Sequence, residues 1–143
     1  MSEAFDLGRF LRAQEPVLEQ VRRELREGQK RSHWMWFIFP QLRGLGQSEM
    51  AWRYGIASRE EARVYLEHPL LGPRLRECTA LVLAAGRPLR QMLGSPDDLK
   101  FHSCMSLFAA VAPEESVFRE ALARYFGGTP DPRTVEMLRA PEG

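Results

Sequence analysis

Cysteine is scarce. Cys78 and Cys104 are the only two in 143 residues, and they form neither a CxxC unit nor a disulfide framework. A reduced cytoplasmic protein is therefore expected. Long hydrophobic runs are also missing: none, Trp34–Phe39 included, exceeds six residues, far too short to cross a bilayer, so no membrane association is expected. The start, MSEAFDLGRF, has no basic n-region and no apolar h-region, which leaves no visible secretory signal. Nor does charge of one sign dominate. Twenty Lys and Arg stand against nineteen Asp and Glu, a formal +1, and general nucleic-acid binding through the phosphate backbone is not expected. His33, His68 and His102 are far apart and lack HExxH or paired-acid spacing, so neither a metal site nor a cofactor is expected. There is no repeat, low-complexity tract or linker, and alternating period-two runs are scarce.

What is present fits an ordinary globular domain, with 44% apolar and 27% charged residues, long enough to bury one core. Nearly every segment reads as helix. Asp6 is placed to cap a short first helix, and after Pro16 the stripe Val17, Leu18, Val21, Leu25 runs to a stop at Gly28. Ser58-Arg59-Glu60-Glu61 has the spacing of a capping box, ahead of Ala62, Tyr65 and Leu66. A stripe from Leu71 through Leu75, Cys78, Val82 and Ala85 ends at Gly86. Ser95-Pro96-Asp97-Asp98 supplies a cap, a first-turn proline and two acids, and Phe101, Cys104, Met105, Phe108 and Ala112 follow at helical spacing. Pro113-Glu114-Glu115 opens a helix carrying Phe118, Ala121, Leu122 and Tyr125 as far as Gly127-Gly128, and Asp131-Pro132 opens a last one. Residues 34–39 are apolar at every position, so periodicity cannot separate helix from strand there. Among helices they read best as the central element, with Ser32 as N-cap and Pro40 at the end. The expectation is an all-α, single compact domain over residues 1–143, with about six to eight helices around that aromatic-rich one.

The stretch GQKRSHWMWFIFPQLRGLGQS (28–48) resembles the signature of an uncharacterised bacterial family of about this length, a domain of unknown function sometimes mislabelled "calpastatin". The resemblance continues through EARVYLEHPLLGPRL (61–75), GSPDDLKFHSCMSLF (94–108) and FGGTPDPRT (126–134), covering almost the whole chain in order. It implies an all-helical single domain of an uncommon type and carries no established activity. Where the family resembles Ser-Ser-Met-Thr, this chain has Ser103-Cys104-Met105-Ser106, which speaks against Cys104 as a nucleophile. AQEPVLEQ (13–20) and HPLLGPRL (68–75) are, separately, similar to pieces of small helical proteins that process ADP-ribose derivatives.

Two places concentrate the residue types that bind anions. At the first, a helix starting after Ser32 would aim free amides of His33 and Trp34 outward, with Lys30, Arg31 and His33 reinforcing that field. Trp34 or Trp36 would offer a flat face to a base. The alternative is that the aromatics are core and the cations solvated. At the second, Lys100 falls on a helical wheel between Leu107 and Val111, at the edge of the apolar arc, with Asp97 three residues earlier as an ion-pair partner. A partly buried Lys–Asp pair is characteristic of functional sites, although Asp97 also suits the helix dipole and Lys100 also suits snorkelling. Ser103 as nucleophile would need a base that the sequence does not set beside it. Asp131 reads as an N-cap, Arg133 as its solvated neighbour, and Arg74 and Arg76 as surface charges.

The expected function is binding of a small anionic ligand, nucleotide or ADP-ribose-like, where the aromatic segment meets the start of the Ser95–Ala112 helix. The ligand-facing residues would be Lys30, Arg31, Ser32, His33, Trp34, Trp36 and Lys100. If hydrolysis or glycosidic cleavage accompanies binding, Asp97, Lys100 and Ser103 are the catalytic candidates. The alternative is a non-catalytic helical module that binds a protein through exposed aromatic and arginine side chains.

Overall fold

Helices form wherever apolar residues recur at helical spacing between a polar start and a glycine stop. The computed structural model describes residues 5–139 and holds ten helices there: α1 (Gly8–Gln14), α2 (Leu18–Glu27), α3 (Met35–Ile38), α4 (Glu49–Arg53), α5 (Arg59–Glu67), α6 (Leu71–Ala85), α7 (Leu89–Leu93), α8 (Asp97–Val111), α9 (Ser116–Phe126) and α10 (Pro132–Arg139). Eight of these fall in segments read as helix from the sequence. The other two, α4 and α7, are five residues long, too short to show a stripe, and they take the count past the expected six to eight. No strand occurs among the described residues. One parallel bridge, Leu42 to Ile56, ties the 41–46 segment down, with Ile56 N donating to Gln41 O at 2.9 Å and Arg43 N to Ile56 O at 2.8 Å.

Several helix ends are where the sequence puts them. Gly28 closes α2 with φ 72°, a left-handed conformation that a Cβ would strain. Ser58 accepts from Glu61 N at 3.2 Å, while the Glu61 carboxylate reaches Ala57 N at 2.7 Å and so stretches the capping box by one residue. Asp131 caps α10, accepting from Thr134 N at 3.0 Å. Other ends differ. Leu7 rather than Asp6 stands at the start of α1, and Pro96 rather than Ser95 precedes α8, accepting from Lys100 N at 3.1 Å. Glu115 does not enter α9, because Arg76 holds its carboxylate at 2.6 and 2.8 Å.

The central element is α8, not the aromatic segment. Phe101, Cys104, Met105, Leu107 and Phe108 are fully buried, and Ser103 and Ser106 nearly so, which leaves α8 enclosed on most sides by α5, α7, α9 and α10. Its Ser106 donates to His102 O at 2.7 Å and accepts from Asp131 N at 2.8 Å. The aromatic segment forms only the single turn α3, packed on α1. Trp34, Met35, Ile38 and Phe39 are buried to 2% exposure or less, each contributing about 1.5–3 kcal/mol by leaving water. Phe39 and Phe101 meet edge to face at 5.0 Å, which joins the turn to α8. Close approach of α5 and α6 needs a residue without Cβ: one built on Gly72 would lie 2.1 Å from Leu66 O. No described buried side-chain N or O lacks a partner, and no described helix is long and apolar enough to cross a membrane.

Candidate functional site

The start of the aromatic segment is organised from inside by Glu24, near the end of α2. This carboxylate is only 1% exposed. It accepts from Arg31 N at 2.8 Å, Ser32 N at 3.2 Å, Ser32 Oγ at 2.7 Å, Trp34 Nε1 at 2.9 Å and Gln20 Nε2 at 3.0 Å. Burial alone would push its carboxyl up; the hydrogen bonds outweigh that and hold it down at about 2. An acid of the same chain thus claims the Arg31 and Ser32 amides, the Ser32 hydroxyl and the Trp34 indole, just ahead of the His33 and Trp34 amides expected to face a ligand. Ser32 does not cap α3: its Oγ donates to Glu24, and Trp34, the residue before the helix, has an indole that offers no acceptor for a cap.

Lys30 and Lys100 are brought together by a contact no local pattern shows. Asp97, in the first turn of α8, receives Lys30 Nζ at 3.0 Å and Lys100 Nζ at 3.7 Å. The Lys30 side chain is 9% exposed and that of Lys100 23%, so Lys30 is committed to the pair while Lys100 reaches outward. Each ammonium also lies 5.0 Å from a tryptophan ring centroid, Lys30 over Trp34 and Lys100 over Trp36. Two cations on one carboxylate leave a local positive surplus at the surface.

That surplus borders a cleft of about 330 Å³ between the first half of α8, the start of α10 and the 41–46 segment. Lys100, His102 and Ser103 face it from α8, Asp131 and Arg133 from α10, and Gln41 from the loop. Leu45, Pro96 and Leu99 supply apolar wall, and Leu99 is 60% exposed. Neither Arg133 nor the Gln41 amide makes a side-chain hydrogen bond or ion pair with any described residue. A narrow slot between Trp36, Phe39 and Tyr54 shares Gln41 and Lys100 with the cleft.

The sequence-derived candidates therefore part company. Lys100 and Ser103 line the cleft; Lys30 and Asp97 support Lys100 from behind; Trp36 stands under the Lys100 ammonium in the adjoining slot. Arg31 turns to Glu27, His33 is exposed, and Ser32 and Trp34 bind Glu24. Ser103 does have a carboxylate nearby, Asp131 Oδ2 at 3.3 Å, but that oxygen already accepts from Thr134 N at 3.0 Å and Thr134 Oγ1 at 2.6 Å. His102 makes no hydrogen bond to the Ser103 hydroxyl, which donates to Leu99 O and Asp131 Oδ2. The His102 Nε2 donates to Thr129 O at 2.8 Å and its ring stacks on Phe126 at 3.8 Å. Gln41, Asp131 and Arg133 were not among the candidates. The only signal for Asp131 and Arg133 was the compact PDPRT run, which reads as capping chemistry, and Gln41 had none. Among the described residues no three His, Cys, Asp or Glu gather as metal ligands.

Fold and cleft together describe an all-helical protein with a cation-bordered surface hollow. The chain belongs to the family described as "Protein of unknown function (DUF1810)", which matches residues 4–138. It is similar to a solved structure, the conserved hypothetical protein Rv1873 from Mycobacterium tuberculosis, at 55% identity over 96% of this chain and 99% of that one, with a TM-score of 0.94. No curated protein matches the chain.

Proposed function

We propose that this protein binds a small anionic ligand, nucleotide or ADP-ribose-like, in the cleft between α8, α10 and the 41–46 segment. One observation carries the reading: Lys100, Arg133 and Gln41 converge on a single hollow, and the last two have no described partner to occupy them. Lone guanidinium and amide groups beside a half-buried ammonium suit an oxyanion, which Arg takes in a planar fork and Lys as a point charge. The cleft volume sits at the small end of ligand sites, the scale of a mononucleotide or sugar phosphate. Lys30 and Asp97 serve the site by fixing Lys100. For a hydrolytic step Asp97 is better suited to orienting Lys100 than to moving protons, since it is held between two lysines.

The test is thermal-shift screening against inorganic phosphate, AMP and ADP-ribose. A ligand at a hundred times its Kd adds about 2.7 kcal/mol, which raises Tm by roughly 10 °C for a chain of this length. Lys100→Ala is expected to abolish the shift while leaving the unliganded Tm within a few degrees. No shift with any of the three would defeat the reading. The second reading, a protein-interaction module, draws on Trp52, which is 63% exposed with the Arg43 guanidinium 4.8 Å from its ring centroid. Trp52 lies outside the cleft lining, so Trp52→Ala leaves ligand shifts intact if the cleft is the site.

A further inference from the structure

Asp131 does two jobs with two oxygens. Its Oδ2 caps α10 and receives Ser103 Oγ as well as both Thr134 donors. Its Oδ1 accepts no hydrogen bond from any described residue, although Asp131 lines the cleft. A carboxylate acceptor set among anion-binding cations is unfavourable for a bare phosphate, which it repels. It is favourable for a ligand that also brings hydroxyl donors, and the carboxylate–hydroxyl bond is charge-assisted. Acidic side chains read ribose hydroxyls in this way in other nucleotide sites. The Gln41 amide, likewise unclaimed, can donate or accept for a neighbouring hydroxyl. Pro96 and Leu99 give the apolar wall on which the carbon skeleton of a sugar can lie.

From these residues we infer that the cleft selects a phosphorylated sugar with a vicinal diol, a ribose phosphate or its nucleotide, over its deoxy counterpart, with Asp131 Oδ1 as the hydroxyl acceptor. The inference rests on the anion-binding reading above and narrows its ligand class. Lys100 and Arg133 hold the phosphate; Asp131 decides which sugar comes with it. No covalent step is involved.

Calorimetric titration with ribose 5-phosphate, 2-deoxyribose 5-phosphate and inorganic phosphate separates the two claims. The wild-type protein is expected to bind the ribose compound roughly ten- to a hundredfold more tightly than the deoxy compound, the range of one charge-assisted hydrogen bond. Asp131→Asn turns the free acceptor into a donor, and Asp131→Ser keeps a capping oxygen while removing Oδ1. Asp131→Ser is expected to bind the two sugars alike, Asp131→Asn to narrow the gap by losing the charge-assisted bond, and both to hold phosphate at least as well as wild type. Should either variant misfold, the other carries the comparison. Equal wild-type affinities for the two sugars, with phosphate bound, would overturn the role of Asp131 and leave the anion site standing. Failure of all three to bind would overturn both.

Discussion

Replacing Glu24 by glutamine tests the part of the structure that most changes how the site is read. The amide keeps the shape of the side chain and one acceptor oxygen, but loses the charge and turns a donor toward Ser32 and Gln20. In the native protein the carboxyl is held at about 2, against an ordinary value of 4.5. At about 1.4 kcal/mol per pH unit that difference corresponds to about 3 kcal/mol of native stability belonging to the ionised form. A carboxyl whose native value is depressed contributes fully above its unfolded value and loses its contribution as pH falls toward the native one. Wild type is therefore expected to exceed Glu24→Gln by about 3 kcal/mol above pH 5, with more than half of that pH-dependent margin gone by pH 3 and most of it by pH 2. Urea unfolding of both proteins, followed by circular dichroism at pH 7, 5 and 3, reads the margin directly. A margin that stays constant across those pH values would show that the hydrogen bonds from Arg31, Ser32 and Trp34 do not hold the carboxylate ionised, and would reopen the Arg31 and Ser32 amides as donors to a ligand.

Removing Asp97 leaves Lys30 almost enclosed with no counter-charge, so Asp97→Ala is expected to cost about 2 kcal/mol by chemical denaturation, more than a surface ion pair would. An unchanged midpoint would mean that Lys30 finds water. Gly72→Ala sets a methyl against Leu66 O and is expected to cost about 2–3 kcal/mol of stability or to separate α5 from α6; a tolerated alanine would contradict that close approach. Burial pushes the Cys78 thiol up to about 12 and the Cys104 thiol well above its ordinary value. Neither is expected to react with a thiol reagent at pH 8 until the protein is unfolded, when both should titrate. Fast labelling of native protein would place one of them at the surface.

Local chemistry was the legible part of this chain. Gly28, Gly86 and Gly127 stop helices because the left-handed turn needs them, and Ser58 and Asp131 start helices because a short oxygen can reach the third amide ahead. The half-buried Lys100 and its Asp97 partner could be read from the wheel, since both lie on one helix. What could not be read depends on partners far apart in sequence. Residues 34–39 carry no period, so their length as helix was set by Glu24 drawing in the backbone ahead of them and by Pro40 behind, neither of which a hydrophobic pattern records. Lys30 and Asp97 are separated by α3 through α7. In the cleft, Asp131 N and Ser106 Oγ dock the start of α10 on α8 and bring Arg133 to the hollow, while the bridge to Ile56 holds Gln41 beside it.

The most direct measurement is a crystal structure of the protein soaked with ribose 5-phosphate. The phosphate is expected beside Lys100 and Arg133, with a sugar hydroxyl within hydrogen-bond distance of Asp131 Oδ1. A phosphate bound instead at Arg31–Trp34, or a cleft that stays empty under saturating ligand, would contradict the assignment.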